Sequence, residues 1–268
     1  MLPYSATARL LLNNAAKFVT APTANLLHTS QINHKKKSCR CGPKKVAMIL
    51  CGCGVLDGTE VSEAVSAMIH LSHKGYETRF FAPDMKICSP MNHLTKDVEA
   101  CPDKNALVEA ARIARGNIKS LCECSACEHA GLVIPGGFGV GRTLSDFAAK
   151  GCNCVLLPDL IRIIEEFNCQ DKPIGGICIA AALIPKVLKG ARVTLGKDCP
   201  KERYVNSEAI EQAKSMGANI DMQDAKGATE CKEHNVFTTP AFMDSCATNA
   251  DIHEGIGKMI SMMSKIMK

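Results

Sequence analysis

One cysteine, in the segment 173–185, has the sequence surroundings of a reactive nucleophile. Apolar residues and two glycines lead up to Cys178, and small helix-forming residues follow it at once. A strand that turns directly into a helix holds the residue at the turn in a strained conformation and presents its side chain at the carboxyl edge of the sheet. The positive end of the helix then faces that side chain, so the pattern predicts a nucleophilic thiol with a lowered pKa. The alternative is a buried structural cysteine, because the chain has 16 cysteines.

Two carboxylates are candidates to exchange a proton with this thiol. Glu60 and Glu63 lie in the first turn of a helix that is predicted over Glu60–Lys74. Glu63 runs directly into the apolar face of the helix, so we expect its carboxyl to turn inward, where burial raises the pKa and suits proton transfer. Glu60 is the alternative, and it also fits a solvated carboxylate at a helix start. No histidine closely follows Cys178, so the sequence does not predict a Cys–His pair.

A glycine-rich loop is predicted to face the same edge of the sheet. Residues 135–141 read Pro-Gly-Gly-Phe-Gly-Val-Gly directly after an apolar strand. Because glycines let backbone N–H groups approach a developing negative charge, Gly136 and Gly137 are candidates for an oxyanion hole, together with the N–H of Ile179. A phosphate-binding loop is the competing interpretation, but the glycine spacing is not G-x-G-x-x-G.

Strands and helices alternate from Lys44 onward with short connections. Such an order predicts one α/β domain built on a mostly parallel sheet with helices on both faces, and a site at the carboxyl ends of the strands. The predicted strands are Val46–Leu50, Glu77–Ala82, Gly131–Pro135, Pro173–Cys178 and Val193–Gly196. The predicted helices are Glu60–Lys74, Lys104–Arg115, Leu156–Phe167 and Ser207–Met216, followed by a hairpin over 229–239 and an amphipathic helix that carries Ile252, Ile256, Met259, Ile260 and Met263.

The first 43 residues differ in composition from the rest of the chain. No Asp or Glu precedes Asp57, and eight of the 32 basic residues fall before residue 46, so residues 46–268 hold 24 basic against 27 acidic residues and the net charge of +5 comes from the N-terminal stretch. The remainder therefore offers no basic surface for nucleic acid, and no apolar run approaches the ~20 residues that span a bilayer. The leader is basic, hydroxyl-bearing and amphipathic, which predicts a mitochondrial transit peptide over residues 1–43, import to the matrix, and cleavage between Leu26 and Cys41.

The cysteines are typical of a reducing compartment. No secretory signal precedes them, so free thiols are expected rather than a disulfide framework. The segment Cys122–His129 contains a C-x-x-C pattern that zinc could use, but no second ligand pair follows. The sequence therefore predicts neither a metal nor a cofactor.

With these residues in place, the chain resembles the class I glutamine amidotransferase-like superfamily. The resemblance is greatest to the branch that holds the bacterial isoprenoid-biosynthesis glyoxalases and the mitochondrial glutamine amidotransferase-like class 1 domain-containing proteins. It covers residues 44–268 almost end to end and rests on seven motifs. These are Gly52–Glu60, Phe81–Asp84, Asn92–Thr95, Glu109–Ile113, Pro135–Gly139, Cys178–Ala180 and Thr238–Ala241.

The resemblance implies a flavodoxin-like, doubly wound sandwich, with Cys178 as nucleophile and Glu63 as its acid. Glutamine hydrolysis is not expected, because amidotransferases need a histidine and an acid after the elbow and this sequence has neither there. The implied function is a cofactor-free glyoxalase or deglycase that acts on small aldehydes, dicarbonyls or glycated substrates. The alternative is a non-catalytic mitochondrial maintenance or redox-sensing protein. A homodimer is common among such relatives and is a further expectation.

Overall fold

The computed structural model describes residues 44–99 and 103–267. The transit peptide expected over 1–43 lies outside these residues. The flavodoxin-like fold class is confirmed, because one mostly parallel sheet of seven strands carries the structure.

Nine strands lie in the described part of the chain. They are β1 (Lys45–Ile49), β2 (Glu77–Ala82), β3 (Ile118–Ser120), β4 (Leu132–Ile134), β5 (Ile174–Ile177), β6 (Arg192–Val193), β7 (Asn219–Ile220), β8 (Thr229–Cys231) and β9 (Val236–Thr239). The main sheet has the order β3-β2-β1-β4-β5-β9-β8, in which every neighbouring pair is parallel except β8 with β9. The antiparallel pair is the hairpin that the sequence predicted.

Eight α-helices connect or flank these strands in the described residues. They are α1 (Val61–His73), α2 (Ala106–Ala110), α3 (Phe138–Arg142), α4 (Phe147–Lys150), α5 (Pro158–Cys169), α6 (Ala180–Val187), α7 (Glu208–Ser215) and α8 (Asn249–Ser264). The apolar residues of β1, β4 and β5 are almost fully buried, as expected of strands that are covered on both faces.

Two adjacent glycines in β5 show that helices cover both faces of the sheet. A β-carbon at Gly175 would meet Met263 and Met259 of α8, and one at Gly176 would meet Ile184 of α6, both within 3.2 Å. Because consecutive residues of a strand point to opposite faces, α8 and α6 lie on opposite sides of β5. The absence of side chains here lets both helices pack closely against the strand that leads to Cys178.

Two predicted elements differ from the structure. The helix predicted over Lys104–Arg115 is only α2, because after Ala110 the chain continues as a series of hydrogen-bonded turns and ends in positive φ angles of 53° at Arg115 and 80° at Gly116. The strand predicted at Val193–Gly196 is β6, which pairs with β7 in a separate two-stranded sheet. Neither difference alters the edge at which the candidate site lies.

Among the described helices, none combines the length and apolarity that a membrane crossing requires.

Candidate active site

The candidate site lies where the winding of the main sheet reverses. From β1 the chain first builds β2 and β3 on one side, and then returns to place β4 and β5 on the other. In open α/β sheets, the crevice beyond the carboxyl ends of the strands at such a reversal is where ligands bind. The segments that follow β1, β4 and β5 converge there, and they hold Glu63, in the first turn of α1, together with Gly136 and Cys178.

Cys178 occupies the turn between β5 and α6. Strand β5 ends at Ile177 and helix α6 begins at Ala180, so only two residues make the connection. Cys178 has φ of +56°, a conformation that non-glycine residues seldom adopt, and its N–H donates to the carbonyl oxygen of Thr239 at 2.9 Å. The residue is only 8 % exposed. Such strain persists only where the surrounding structure enforces it.

Glu63 is brought to Cys178 from the first turn of α1, and it is fully buried. Its Oε2 accepts a hydrogen bond from the Gly136 N–H at 2.8 Å. A β-carbon at Gly136 would stand 2.6 Å from Cys178 Cβ and 2.8 Å from Glu63 Oε2, so both residues border the same small space. Glu63 Oε1 is buried and has no hydrogen-bond partner among the described residues. An unpartnered buried oxygen calls for an explanation, such as a catalytic role or a bound water.

Glu60 performs a different task in the structure. It is the N-cap of α1, where its Oε2 accepts from the Glu63 N–H at 2.6 Å and its Oε1 accepts from the Ser62 hydroxyl at 2.8 Å. Both oxygens are therefore occupied by the helix start. Glu60 still lines the pocket, but the geometry gives Glu63, rather than Glu60, the position beside Cys178.

The lowered pKa that the sequence predicted for Cys178 is wrong. Burial, followed by the nearby charge of Glu63, raises the pKa of the thiol well above its ordinary value, and the hydrogen bond from the Ile179 N–H offsets only part of this. Burial, followed by the charge of Glu60, also raises the pKa of Glu63, from 4.5 to about 8. The prediction considered the helix end alone, whereas loss of solvent is the larger effect here.

The oxyanion site differs from the expected one at Gly136. The Gly136 N–H is already engaged by Glu63, so this glycine holds the carboxyl in place. The Gly137 N–H meets no acceptor among the described residues, and Gly137 and Ile179 both line the pocket. The N–H groups of Phe138 and Gly139 donate to the carbonyls of Val55 and Gly58, which leaves them unavailable to a phosphate group.

A pocket of about 400 Å³ opens above Cys178 and Glu63. Its walls include four side chains that sequence reasoning did not single out: Arg142, Asn206, Gln212 and Phe242. Phe242 closely follows the carboxyl end of β9, the neighbour of β5, and this position is a signal that could have revealed it. The other three come from α3, α7 and the loop before α7, and only the tertiary fold brings them together.

The described part of the chain gives this pocket neither a histidine nor a metal-binding cluster. No histidine is among the described residues that line it. In the segment Cys122–His129, Cys122 and Cys127 are exposed while Cys124 is buried. Over residues 44–99 and 103–267, no group of three or more His, Cys, Asp or Glu side chains is arranged to hold a metal ion.

Comparison with known proteins gives several extensive matches, although no family model matches the chain. It is 39 % identical over 227 residues to the rat "ES1 protein homolog, mitochondrial", covering 83 % of this chain and 84 % of the relative. It is 39 % identical over 217 residues to the human "Glutamine amidotransferase-like class 1 domain-containing protein 3, mitochondrial", covering 81 % of each chain. The "ES1 protein, mitochondrial" of Danio rerio is 29 % identical over 272 residues, covering 97 % of this chain and 98 % of the relative.

Solved structures agree with the sequence relatives. The isoprenoid biosynthesis protein with an amidotransferase-like domain from Ehrlichia chaffeensis superposes with a TM-score of 0.75 at 30 % identity, over 84 % of this chain and all of the other. A 24 kDa rapid encystment protein of Francisella tularensis, at 12 % identity and a TM-score of 0.55, shares the fold. The named relatives are mitochondrial, and so is this protein. The chain therefore belongs to the mitochondrial ES1 family, the glutamine amidotransferase-like class 1 domain-containing proteins.

Proposed function

We propose that this mitochondrial protein converts reactive dicarbonyls, such as glyoxal and methylglyoxal, or the early adducts that they form with amines. The observation that carries the proposal is the buried pair of Cys178 and Glu63 at the base of a pocket of about 400 Å³. A thiol can add to an aldehyde, and a neighbouring carboxyl can then move a proton between carbons. These two steps, followed by hydrolysis of the resulting thioester, complete the reaction without a cofactor.

The first step forms a covalent adduct. The Cys178 sulfur bonds to the aldehyde carbon, and the thiol proton passes by way of Glu63 to the aldehyde oxygen, which gives a hemithioacetal. An early amine adduct reaches the same intermediate when the sulfur displaces the amine, which leaves with the proton. The Gly137 N–H is suited to stabilise charge that develops on the substrate oxygen, and the Ile179 N–H can join it when the Cys178 sulfur is bonded to the substrate.

The second step is an internal redox exchange between two substrate carbons. Glu63, as carboxylate, removes the proton from the carbon that bears sulfur and returns it to the adjacent carbon, while the hydroxyl proton moves from the oxygen of the first carbon to the oxygen of the second by way of an enediol. The former aldehyde carbon is oxidised to a thioester, and the former ketone carbon is reduced to an alcohol. Water then attacks the thioester, the carbon–sulfur bond breaks, and a hydroxy acid leaves as the thiol regains its proton.

The raised pKa of Glu63 fits this cycle. A carboxyl with a pKa of about 8 is largely protonated at neutral pH, and a minority remains as the base. Such a group both donates and accepts protons within one turnover. A redox sensor, the competing function, needs an exposed thiol of low pKa. The burial and raised pKa of Cys178 disfavour that alternative.

The test is product formation by the purified full chain. Methylglyoxal should yield lactate and glyoxal should yield glycolate, and Cys178→Ser should abolish both. Cys246→Ser is the matched control, because Cys246 is an exposed thiol that does not line the pocket. Hydroxy acid formation that is equal in wild type and Cys178→Ser would refute the proposal.

Glutamine should not be a substrate. No pocket-lining histidine in the described residues is available to protonate the leaving ammonia. We expect no Cys178-dependent ammonia release when the full chain is incubated with glutamine. Robust ammonia release that Cys178→Ser removes would contradict the assignment of reaction type.

We also propose that residues 1–43 act as a transit peptide. A reporter fused to residues 1–45 should enter mitochondria, and the mature protein should lack the leader. Replacing Arg9 and Lys17 by glutamine should reduce import, because such leaders depend on positive charge. Cytosolic retention of the unmodified fusion would contradict the proposal.

A further inference from the structure

The pocket above Cys178 is larger than a two- or three-carbon dicarbonyl requires. Pockets of roughly 300–1,000 Å³ typically enclose ligands of drug size, and this one measures about 400 Å³. It extends from Cys178 past Phe147 to α7, where Ala209 and Gln212 line it. A substrate that fills the pocket must therefore carry a substituent beyond its reacting carbonyl group.

Arg142 is the cation in the wall of this pocket. It ends α3, the helix that follows the glycine-rich loop, and its side chain is exposed. One guanidinium nitrogen donates to the Leu56 carbonyl oxygen at 3.2 Å, and the guanidinium lies 5.5 Å from the centre of the Phe138 ring. These two contacts orient the group and leave most of its N–H donors free.

The acidic residues of the pocket do not form an ion pair with Arg142. Among the described residues, no carboxylate oxygen lies within 4.0 Å of a nitrogen of its guanidinium group. The Glu60 carboxylate is instead held at the start of α1 by the Ser62 hydroxyl and the Glu63 N–H, and Glu63 is largely protonated at neutral pH. Glu208 lies in the first turn of α7, where the helix dipole stabilises its charge.

Building on the proposed function, we infer that Arg142 binds an anionic group of the substrate, so that the natural substrate is an aldehyde or dicarbonyl that also bears a carboxylate or phosphate. A guanidinium matches the oxygens of either group with two parallel hydrogen bonds. The reacting carbonyl then lies at Cys178 while the anion lies at Arg142. Arg142 is a substrate-binding residue in this account and takes no part in proton transfer.

The test uses alkylating probes that need no turnover. N-iodoacetylglycine carries a carboxylate, and N-iodoacetylglycinamide is the neutral probe of the same size. N-iodoacetyl-β-alanine places the carboxylate one carbon further from the reactive group. N-iodoacetyl-aminomethylphosphonate carries a phosphonate in place of the carboxylate and represents a phosphate group. The rate of Cys178 modification in the full chain is measured for each probe by mass spectrometry at low ionic strength. The quantity compared between proteins is the ratio of anionic to neutral rates.

We expect this ratio to exceed one in wild type for at least one probe length, and to fall about tenfold in Arg142→Gln. Arg142→Lys should give an intermediate ratio, because it keeps the charge and loses the paired geometry. Arg112→Gln is the control for overall charge, since Arg112 pairs with Glu109 outside the pocket, and its ratio should stay within about twofold of wild type. The neutral rate should be the same in wild type and Arg112→Gln.

Equal ratios in wild type and Arg142→Gln would overturn the inference, whatever the catalytic activity is. If even the neutral probe leaves Cys178 unmodified, the proposed function fails, and calorimetry decides the inference separately. In that experiment glutarate is expected to bind wild type at least about tenfold more tightly than Arg142→Gln does, with glutaramide unaffected. Equal glutarate affinity in the two proteins would overturn the assignment of Arg142.

Discussion

The floor and the outer wall of the pocket are built in different ways. The floor consists of Cys178, Glu63 and Gly136. The strand–helix turn fixes Cys178, the start of α1 fixes Glu63, and a hydrogen bond of 2.8 Å joins the Gly136 N–H to the Glu63 carboxyl. The outer wall, represented by Arg142 and Asn206, is assembled from α3 and the loop before α7, and its side chains are partly or fully exposed. A rigid, dry floor suits chemistry, and a more adaptable wall suits substrate selection.

This contrast predicts that substitutions in the floor damage the chemical step, whereas substitutions in the wall change which substrate is held. The largest expected effect is that of Glu63→Gln, because the amide cannot move the proton between substrate carbons. We expect kcat to fall by about 10²- to 10⁴-fold, measured as lactate formation from methylglyoxal.

Glu60→Gln is the matched control on the same helix turn. The amide oxygen can still accept from the Glu63 N–H and keep the N-cap, so kcat should fall by less than about tenfold. A larger loss in Glu60→Gln than in Glu63→Gln would reverse the assignment of the acid–base residue.

A methyl group at Gly136 should come next in effect. It would stand 2.6 Å from Cys178 Cβ and 2.8 Å from Glu63 Oε2, so Gly136→Ala must push the two residues apart. Displacement by about 1 Å typically costs about 10²-fold in rate. In Gly141→Ala, which lies on the wall, the nearest atom is 3.3 Å away, so its activity should stay within about fivefold of wild type. Similar losses in both variants would erase the distinction between floor and wall.

The sequence predicted where Cys178 and Glu63 lie because each belongs to a local pattern. The apolar run into Cys178 specifies strand, turn and helix over neighbouring residues, and the position of Glu63 in the first turn of α1 follows from helical periodicity. Parallel strands then bring the two loops to one edge of the sheet. Most of the predicted strands and helices agree with the structure within a few residues for the same reason.

The rest depends on tertiary packing that a single sequence does not specify. The pKa of Cys178 was predicted with the wrong sign because burial depends on everything that packs over the turn. The sequence assigned the Gly136 N–H to an oxyanion. In the structure this N–H donates to Glu63, and because the two residues are 73 positions apart in the chain, no local pattern could predict the hydrogen bond. Short elements such as β3 and α3 have too few residues to show a clear hydrophobic period in the sequence. Because α3 was not predicted, the position of Arg142 at the pocket was not predicted either.

The buried acid of the floor should lower stability as the pH rises. The pKa of Glu63 is raised to about 8 in the folded protein, so between pH 4.5 and 8 the folded state keeps a proton that the unfolded state has lost. Stability therefore falls as pH increases through this range, by about 3 kcal/mol between pH 5 and 8. Urea unfolding of wild type and Glu63→Gln at several pH values measures the effect, and the variant should lack this part of the slope. Parallel stability profiles would contradict a buried, protonated Glu63.

The smallest expected effect belongs to the wall. Asn206 is partly buried, and its side chain makes no hydrogen bond within the described residues. Asn206→Ala should therefore raise KM by less than about tenfold and leave kcat unchanged, since binding alone is weakened. A fall in kcat comparable to that of Glu63→Gln would show that the wall takes part in the chemistry.

The central claim is that Cys178 and Glu63 act as one acid–base unit, and the pH dependence of Cys178 alkylation tests it most directly. With iodoacetamide and mass spectrometry, the wild-type rate should still be rising by about tenfold per pH unit at pH 8, because burial and the charge of Glu63 raise the pKa of the thiol well above 9.0. In Glu63→Gln the thiol keeps its burial but loses the neighbouring negative charge, so the midpoint should move downward and the rate at pH 8 should rise. A variant that reacts at pH 8 no faster than wild type would contradict the account.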